Sequence, residues 1–265
     1  MNTVMQIPAA WQAFDTLGEG VTVAVIDSGL FTENPEIAEN VWEDKNGYRG
    51  YNAVTDTHDV TPTTSHGGNV AGIIAGVAGQ NPACIGVAPK SKIMPIKVSK
   101  YMSAISMTSV VQGINYAVGN GADIISMSLS SAGNDKTLED ACRAAYDSGI
   151  ILVSSAGNNA QDAVSSKRYP AVYESVISVM ALSSDKKQLA SFSNYDSTHE
   201  YYNIAAPGET IIGLPYSESA INAVSGMSGT SQATPIIAGL AALYLSVYPT
   251  HTPSEFRRAL LESST

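Results

Sequence analysis

The sequence predicts an α/β protein, with a mostly parallel central sheet and helices on both of its faces. Two observations carry this. Short β-branched runs recur along the chain: VTVAVI at 21–26, IMPIKV at 93–98, IISMSL at 124–129, IILV at 150–153 and VISVM at 176–180. None shows the strict polar alternation of a half-exposed strand, which suits strands buried on both faces. Between them lie stretches with apolar residues at helical spacing, 70–77, 108–118 and 138–146. Strand–helix–strand repetition is the pattern of parallel crossovers.

The elements follow in order. The N-terminal stretch MNTVMQIPAAWQAFD has no basic start and no apolar core, so it does not read as a signal peptide. The location expected from the chain as written is cytoplasmic, or extracellular if this is the mature part of a longer precursor. After the last β-branched run the character changes. Residues 201–212 and 220–224 read as short strands or loops around the turn Ala206-Pro207-Gly208. A helix is expected over 230–245, and a final one opens at Pro253 with Ser254 and Glu255, a helix-start signature. No internal repeat, low-complexity tract or linker interrupts the chain, so one domain over 1–265 is expected.

Composition narrows the function classes. The chain has 265 residues, 44% hydrophobic and only 14% charged, enough for a substantial core. Net charge is −10 and no run of Lys or Arg occurs, so no nucleic-acid partner is expected. No stretch of 18 consecutive apolar residues is present, so no membrane span is expected. Cys84 and Cys142 form no CxxC and no disulfide framework. They read as small buried hydrophobes, with a cysteine nucleophile as the alternative.

In an open parallel sheet, chemistry collects at the carboxyl ends of the strands. Asp27 directly follows the first strand, and burying a charge there requires a partner. Taken alone it could be a turn Asp before Ser28-Gly29. His66 heads HGGNVAGIIAG, at a helix start whose positive potential favours a neutral imidazole, fit to act as a base. Taken alone it could be an exposed N-terminal His. Ser231, behind Gly229 and Thr230, stands at the start of an apolar helix, where a helix cap is the plain alternative. Asp, His and Ser together would supply an orienting carboxylate, a base and a nucleophile. Asn158 ends the run 150–153 and its extension Ser154-Ser155-Ala156-Gly157. Its amide could donate to a developing oxyanion alongside the Ser231 N–H, or it could be a turn Asn.

These stretches resemble the catalytic domain of the subtilisin-like serine proteases, the subtilase family. VAVIDSG, HGGNVAGIIAG, SMSLS, SSAGNN, AAPG and SGTSQATPIIAG carry the likeness, spread from about residue 7 to 261. The order Asp, His, Ser along the chain is also the subtilisin order. The resemblance implies a three-layer subtilisin-like fold and a serine endopeptidase acting on peptide or protein substrates. It implies Asp27, His66 and Ser231 as catalytic triad and Asn158 as oxyanion donor, with Gly229 and Thr230 turning the backbone so that Ser231 faces the cleft. It also implies substrate-binding segments at Ser103-Ala104-Ile105 with Met107, at Ser128-Leu129-Ser130, and at Ser155-Ala156-Gly157. Arg168, just before Tyr169-Pro170, falls at the floor of the pocket for the residue preceding the cleaved bond, the S1 pocket.

The departures from the family pattern are specific. The usual His-Gly-Thr-His is His66-Gly67-Gly68-Asn69, the usual Met after the serine is Gln232, and the usual Ser-Leu-Gly-Gly is Ser128-Leu129-Ser130-Ser131. They suggest a narrower specificity than a degradative enzyme's, as in a processing protease. The calcium site of many relatives would use Glu36 and the loop Gly79–Cys84. The far N-terminal ligand common in relatives has no evident counterpart in this sequence, so no cofactor is expected, with calcium kept as the alternative. A monomer is expected. The alternative function is a peptide-binding module that keeps the fold without the chemistry. An α/β-hydrolase esterase is disfavoured, because Ala233 stands where G-x-S-x-G needs its last glycine.

Overall fold

The computed structural model describes residues 5–77, 82–100, 105–185, 187–214 and 226–264. Seven parallel strands form one sheet: β1 (Thr22–Asp27), β2 (Tyr51–Asn52), β3 (Lys92–Lys97), β4 (Ile124–Met127), β5 (Ile151–Ser155), β6 (Val176–Leu182) and β7 (Ile204–Pro207). The helices are α1 (Ile7–Phe14), α2 (His66–Ala75), α3 (Met107–Gly119), α4 (Lys136–Asp147), α5 (Thr230–Val247) and α6 (Pro253–Glu262). A small antiparallel pair, β8 (Ile211–Ile212) with β9 (Gly226–Met227), stands apart from the main sheet. The expected strand at 220–224 lies outside the described residues.

The sheet is covered on both faces, and the side-chain period of two decides which residue goes where. Val23, Val25, Ile93, Ile124, Ile151, Val153 and Val179 join one core with α2 and α5. Their neighbours Ala24, Ile26, Met94, Ile125, Met127 and Leu152 join a second core with α3 and α4. The strands therefore have no polar face to show, which is why their sequences are continuous apolar runs. The difference between the helices follows. α4 is amphipathic and opens on Asp135, whose carboxylate accepts from the N–H groups of Thr137 and Leu138. α5 is buried along most of its length. By length and composition it could cross a membrane, with 18 residues and mean hydropathy 1.2, yet 72% of it is buried within the protein. It is a core helix.

Strand order is β2-β3-β1-β4-β5-β6-β7. The chain lays β2 and β3 to one side of β1, then crosses to build β4 onward on the other. The order reverses between β1 and β4, and a crevice opens outside their carboxyl ends at such a switch point. Asp27 is the last residue of β1 rather than the first beyond it, and Ser128 follows β4 directly. α5 packs beneath β4, β5, β6 and β7 and against α2, so its N-terminus opens at the same crevice.

Candidate active site

Asp27 is 1% exposed. Its Oδ1 accepts the Ser28 N–H at 2.7 Å, and both carboxylate oxygens lie 2.9 Å from His66 Nδ1. His66 is the first residue of α2. That helix reaches the end of β1 only because Gly67 has no side chain: a Cβ there would lie 2.2 Å from the Gly29 carbonyl oxygen and 3.2 Å from Asp27 Oδ1. Ser28 Oγ accepts the Gly67 N–H at 3.1 Å and the Thr64 hydroxyl at 2.8 Å, pinning the same turn. Burial disfavours the charged imidazole, but the charge and hydrogen bond of Asp27 outweigh it, holding His66 above its ordinary 6.5. The helix potential expected to favour the neutral ring is overridden by the carboxylate in contact with it.

Ser231 is the second residue of α5, so its N–H has no partner within the helix. Pro235 stands inside α5 and cannot donate to the Ser231 carbonyl one turn back. The Ser128 hydroxyl supplies the missing donor at 2.8 Å. In return the Ser231 hydroxyl donates to the Ser128 carbonyl at 3.3 Å. The end of β4 and the start of α5 are thereby laced together. Gly229 is needed for space rather than for the backbone turn expected of it. Its φ of 161° is extended, but a Cβ would lie 2.9 Å from Gln232 Oε1 and 3.2 Å from Asn158 Nδ2.

Asn158 is exposed, and its Oδ1 accepts both the N–H and the hydroxyl of Thr230, at 2.8 and 2.9 Å. A backbone N–H can only donate, so the amide oxygen faces Thr230 and Nδ2 is left as a donor. The loop carrying Asn158 is fixed by Thr230 and by Asn194, the second of which the sequence did not single out. Thr230 Oγ1 accepts the Gly157 N–H at 3.1 Å. Asn194, fully buried, accepts the N–H groups of Asn159 and Gln161 at 3.0 Å and donates to the Ala156 carbonyl at 2.8 Å. Gly157 has φ of 99° and lies so close that a Cβ would be 2.6 Å from Asn194 Nδ2. An Asn in the stretch FSNYD (192–196) carries no local signal for this, because its partners are distant in sequence.

A cleft of about 280 Å³ joins these groups, lined by His66, Ser231, Asn158, Ile105, Ser128, Leu129, Ser130, Ser155 and Gly157 among others. Most of the expected substrate-binding residues are therefore on it. Three are not. Ala156 is fully buried and faces the interior. Met107 opens α3 and packs against the second core. Arg168 lies behind Gly157, its Cγ 3.3 Å from where a Gly157 Cβ would be, and its guanidinium donates to Gln161 Oε1 at 2.8 Å. Ser103 and Ala104 lie outside the described residues.

Two other expectations concern residues nearby. Cys84 and Cys142 are free and buried. Burial, with the Glu36 carboxyl beside Cys84 and Glu139 near Cys142, pushes both thiols up to about 12, far from the thiolate a nucleophile needs. Glu36 itself is fully buried. A calcium ion takes six to eight oxygen ligands. Among the described residues no group of three or more His, Cys, Asp or Glu could hold a metal. The described part of the Glu36 region does not by itself form such a site, and residues 78–81 of the adjoining loop lie outside the description.

Comparison with known proteins agrees with this geometry. A family model described as "Subtilase family" matches residues 18–265. Subtilisin DY of Bacillus licheniformis is 34% identical over 255 residues, covering 96% of this chain and 87% of that protein. An intracellular serine protease of Paenibacillus polymyxa is 33% identical over 248 residues, covering 91% and 70%. Among solved structures, a cold adapted subtilisin-like serine proteinase superposes with a TM-score of 0.80 at 30% identity, over 94% of this chain and 83% of that one. None of these relatives supports the reading as a binding module without chemistry.

The His66–Asp27 contact makes a titration prediction. Followed by NMR of the ring proton, with a His66→Gln variant for assignment, His66 should titrate with a midpoint above 6.5. The midpoint should fall in Asp27→Asn. Because the folded value is raised, the pairing stabilises the fold fully below the unfolded value, and that stabilisation is lost as pH rises through the folded midpoint. A midpoint at or below 6.5 in the wild type would overturn this electrostatic account.

Proposed function

Because the chain belongs to the subtilase family and is a serine endopeptidase, we propose that it works as one catalytic domain with Ser231 as nucleophile, His66 as general base and Asp27 as orienting carboxylate. Asn158 Nδ2 and the Ser231 N–H form the oxyanion hole. The substrate's peptide carbonyl carbon is attacked by Ser231 Oγ, whose proton passes to His66 Nε2. Asp27, at 2.9 Å from Nδ1, holds the ring in the tautomer that leaves Nε2 free and stabilises the imidazolium that forms. The carbonyl oxygen becomes an oxyanion between the two donors. Collapse of the tetrahedral intermediate breaks the C–N bond, and the leaving amine takes the proton from Nε2. Water, deprotonated by the same nitrogen, then hydrolyses the acyl-enzyme. The observation that carries the reading is the Asp27–His66 contact sharing one cleft with Ser231 and with an amide whose oxygen is already committed. The 3.3 Å bond from Ser231 Oγ to Ser128 is long and is released when the hydroxyl turns to the base, in keeping with catalytic contacts that tighten only with substrate.

A fluorophosphonate probe followed by peptide mapping should label Ser231 alone. Ser231→Ala should lose labelling and about 10⁶-fold in kcat, a magnitude set by subtilisin itself. Labelling elsewhere, or unchanged labelling of the variant, would reject the assignment.

The amide of Asn158 meets the oxygen fully only after attack. Asn158→Leu should therefore lower kcat about 10²–10³-fold, again the scale known for subtilisin, with little change in KM. A raised KM with kcat preserved would make Asn158 a substrate clamp instead.

The finer proposal is selectivity for an acidic residue before the cleaved bond, as suits a processing protease. Ser128, Ser130 and Ser155 give the pocket polar walls. Behind Gly157 stands Arg168, which joins none of the ion pairs among the described residues. Its Nε is buried without a hydrogen-bond partner. A substrate carboxylate reaching Gly157 would draw that guanidinium from Gln161 into a bidentate pair. Matched peptides with Asp, Leu or Lys at this position decide the matter through kcat/KM. An Asp preference that disappears in Arg168→Gly is expected. A tenfold preference for Leu that survives the substitution would end the proposal.

A further inference from the structure

His66 and Ser231 are carried by different helices, α2 and α5, and no covalent link sets their separation. One buried hydrogen bond spans the two helices at this point. Gln232 Nε2 donates to Asn69 Oδ1 at 3.0 Å, between residues 163 positions apart in sequence. Asn69 and Gln232 are 2% and 1% exposed. Asn69 lies one turn beyond His66, on the same side of α2, and Gln232 is the residue after Ser231. Both amides are hemmed in by backbone. A Cβ on Gly213 would lie 2.3 Å from the Asn69 carbonyl oxygen and 2.6 Å from Asn69 Nδ2, and one on Gly229 would lie 2.9 Å from Gln232 Oε1. Neither side chain has room to swing to another partner.

We propose that Asn69 and Gln232 form an interhelical clamp that sets the distance and angle between His66 and Ser231, making them a pair of positioning residues for peptide-bond hydrolysis. The proposal rests on the assignment of His66 as base and Ser231 as nucleophile given above. Its physical basis is directional. An apolar contact at this place would let α2 and α5 slide by a few tenths of an ångström at little cost. A buried amide pair does not, because sliding orphans a donor and an acceptor together. The tolerance is narrow: base and nucleophile must meet within about 2.6–3.2 Å, and a displacement of about 1 Å can cost on the order of 10²-fold in rate. The clamp also explains why two unusual residues occur together. Asn69 and Gln232, each a departure from the family pattern when read alone, are one interaction.

The test uses the full chain with Asn69→Leu, Gln232→Met and the double variant. Read out are Tm, kcat, KM and the rate of fluorophosphonate labelling well below Tm, with Ser231→Ala as control. Each single variant orphans one buried amide and should lower both Tm and kcat. The double variant removes the donor and the acceptor of this bond together, so its Tm should return toward wild type. Its kcat and labelling rate should nevertheless stay down by about tenfold or more while KM holds within about twofold, because orientation is still lost. Recovery of kcat together with Tm, or no loss of kcat in any variant, would overturn the clamp and leave the pair as a stability device. If the single variants do not fold, the double variant alone carries this distinction. Labelling of Ser231→Ala at the wild-type rate would instead reject the catalytic assignment on which the clamp depends.

Discussion

A helix that starts inside a protein brings backbone N–H groups to a place where water cannot serve them, and the start of α5 is such a place. A buried group left without a partner costs about 1–3 kcal/mol, while a hydrogen bond that is made contributes about 1 kcal/mol net. Avoiding the loss, more than collecting the gain, shapes the surroundings. Asn158 answers the Thr230 N–H with its amide oxygen and so turns its NH₂ outward. The Ser231 carbonyl, left without an intrahelical donor by Pro235, draws in the Ser128 hydroxyl. Gly229 gives up its side chain so that these groups can crowd together. Among the described residues, the N–H of Ser231 is left without a partner at the mouth of the cleft, where a negatively charged oxygen can use it.

The sheet determines where this occurs. Reversal of strand order beside β1 opens a crevice over its carboxyl end, and β4, next to β1, ends at the residues that tether α5. The opposite charge that Asp27 requires is brought by α2, the crossover leading from β2 toward β3. Gly67 is what allows that helix to approach within hydrogen-bonding distance. Thus the carboxylate, the imidazole and the serine come to one cleft through three separate close approaches, each made by removing a side chain or a backbone donor: at Gly67, at Gly229 and at Pro235.

Much of this was legible in the sequence, for identifiable reasons. The strands were visible because burial on both faces leaves only β-branched and apolar residues. The long helices were visible because α3 and α4 are half-exposed and periodic. Asp27, His66, Ser231 and Asn158 were visible because each sits where a strand or helix ends. β2, with two residues, is too short to carry a pattern, and α1 was masked by a stretch read only for targeting. Asn194 and the Asn69–Gln232 bond were illegible for a different reason. Each is a single amide whose meaning lies in a partner far along the chain, and no local periodicity encodes that. Arg168 was legible through its neighbours Tyr169-Pro170, but the hydrogen bond that holds its side chain to Gln161 carries no sequence signal.

The position of α5 has a consequence for biogenesis. Asp27 and His66 are synthesised well before Ser231, whose hydroxyl is proposed to react with them, because that residue rides on α5. That helix also fills one face of the sheet, against residues such as Val153, Ile177 and Val179. Until α5 has inserted, the nascent polypeptide exposes that apolar face and lacks the proposed nucleophile beside His66. Completion of the core and the appearance of hydrolytic power are one event. A ribosome-bound or half-folded molecule is therefore chemically silent at the time when its own loops, and those of its siblings, are most open to being cut.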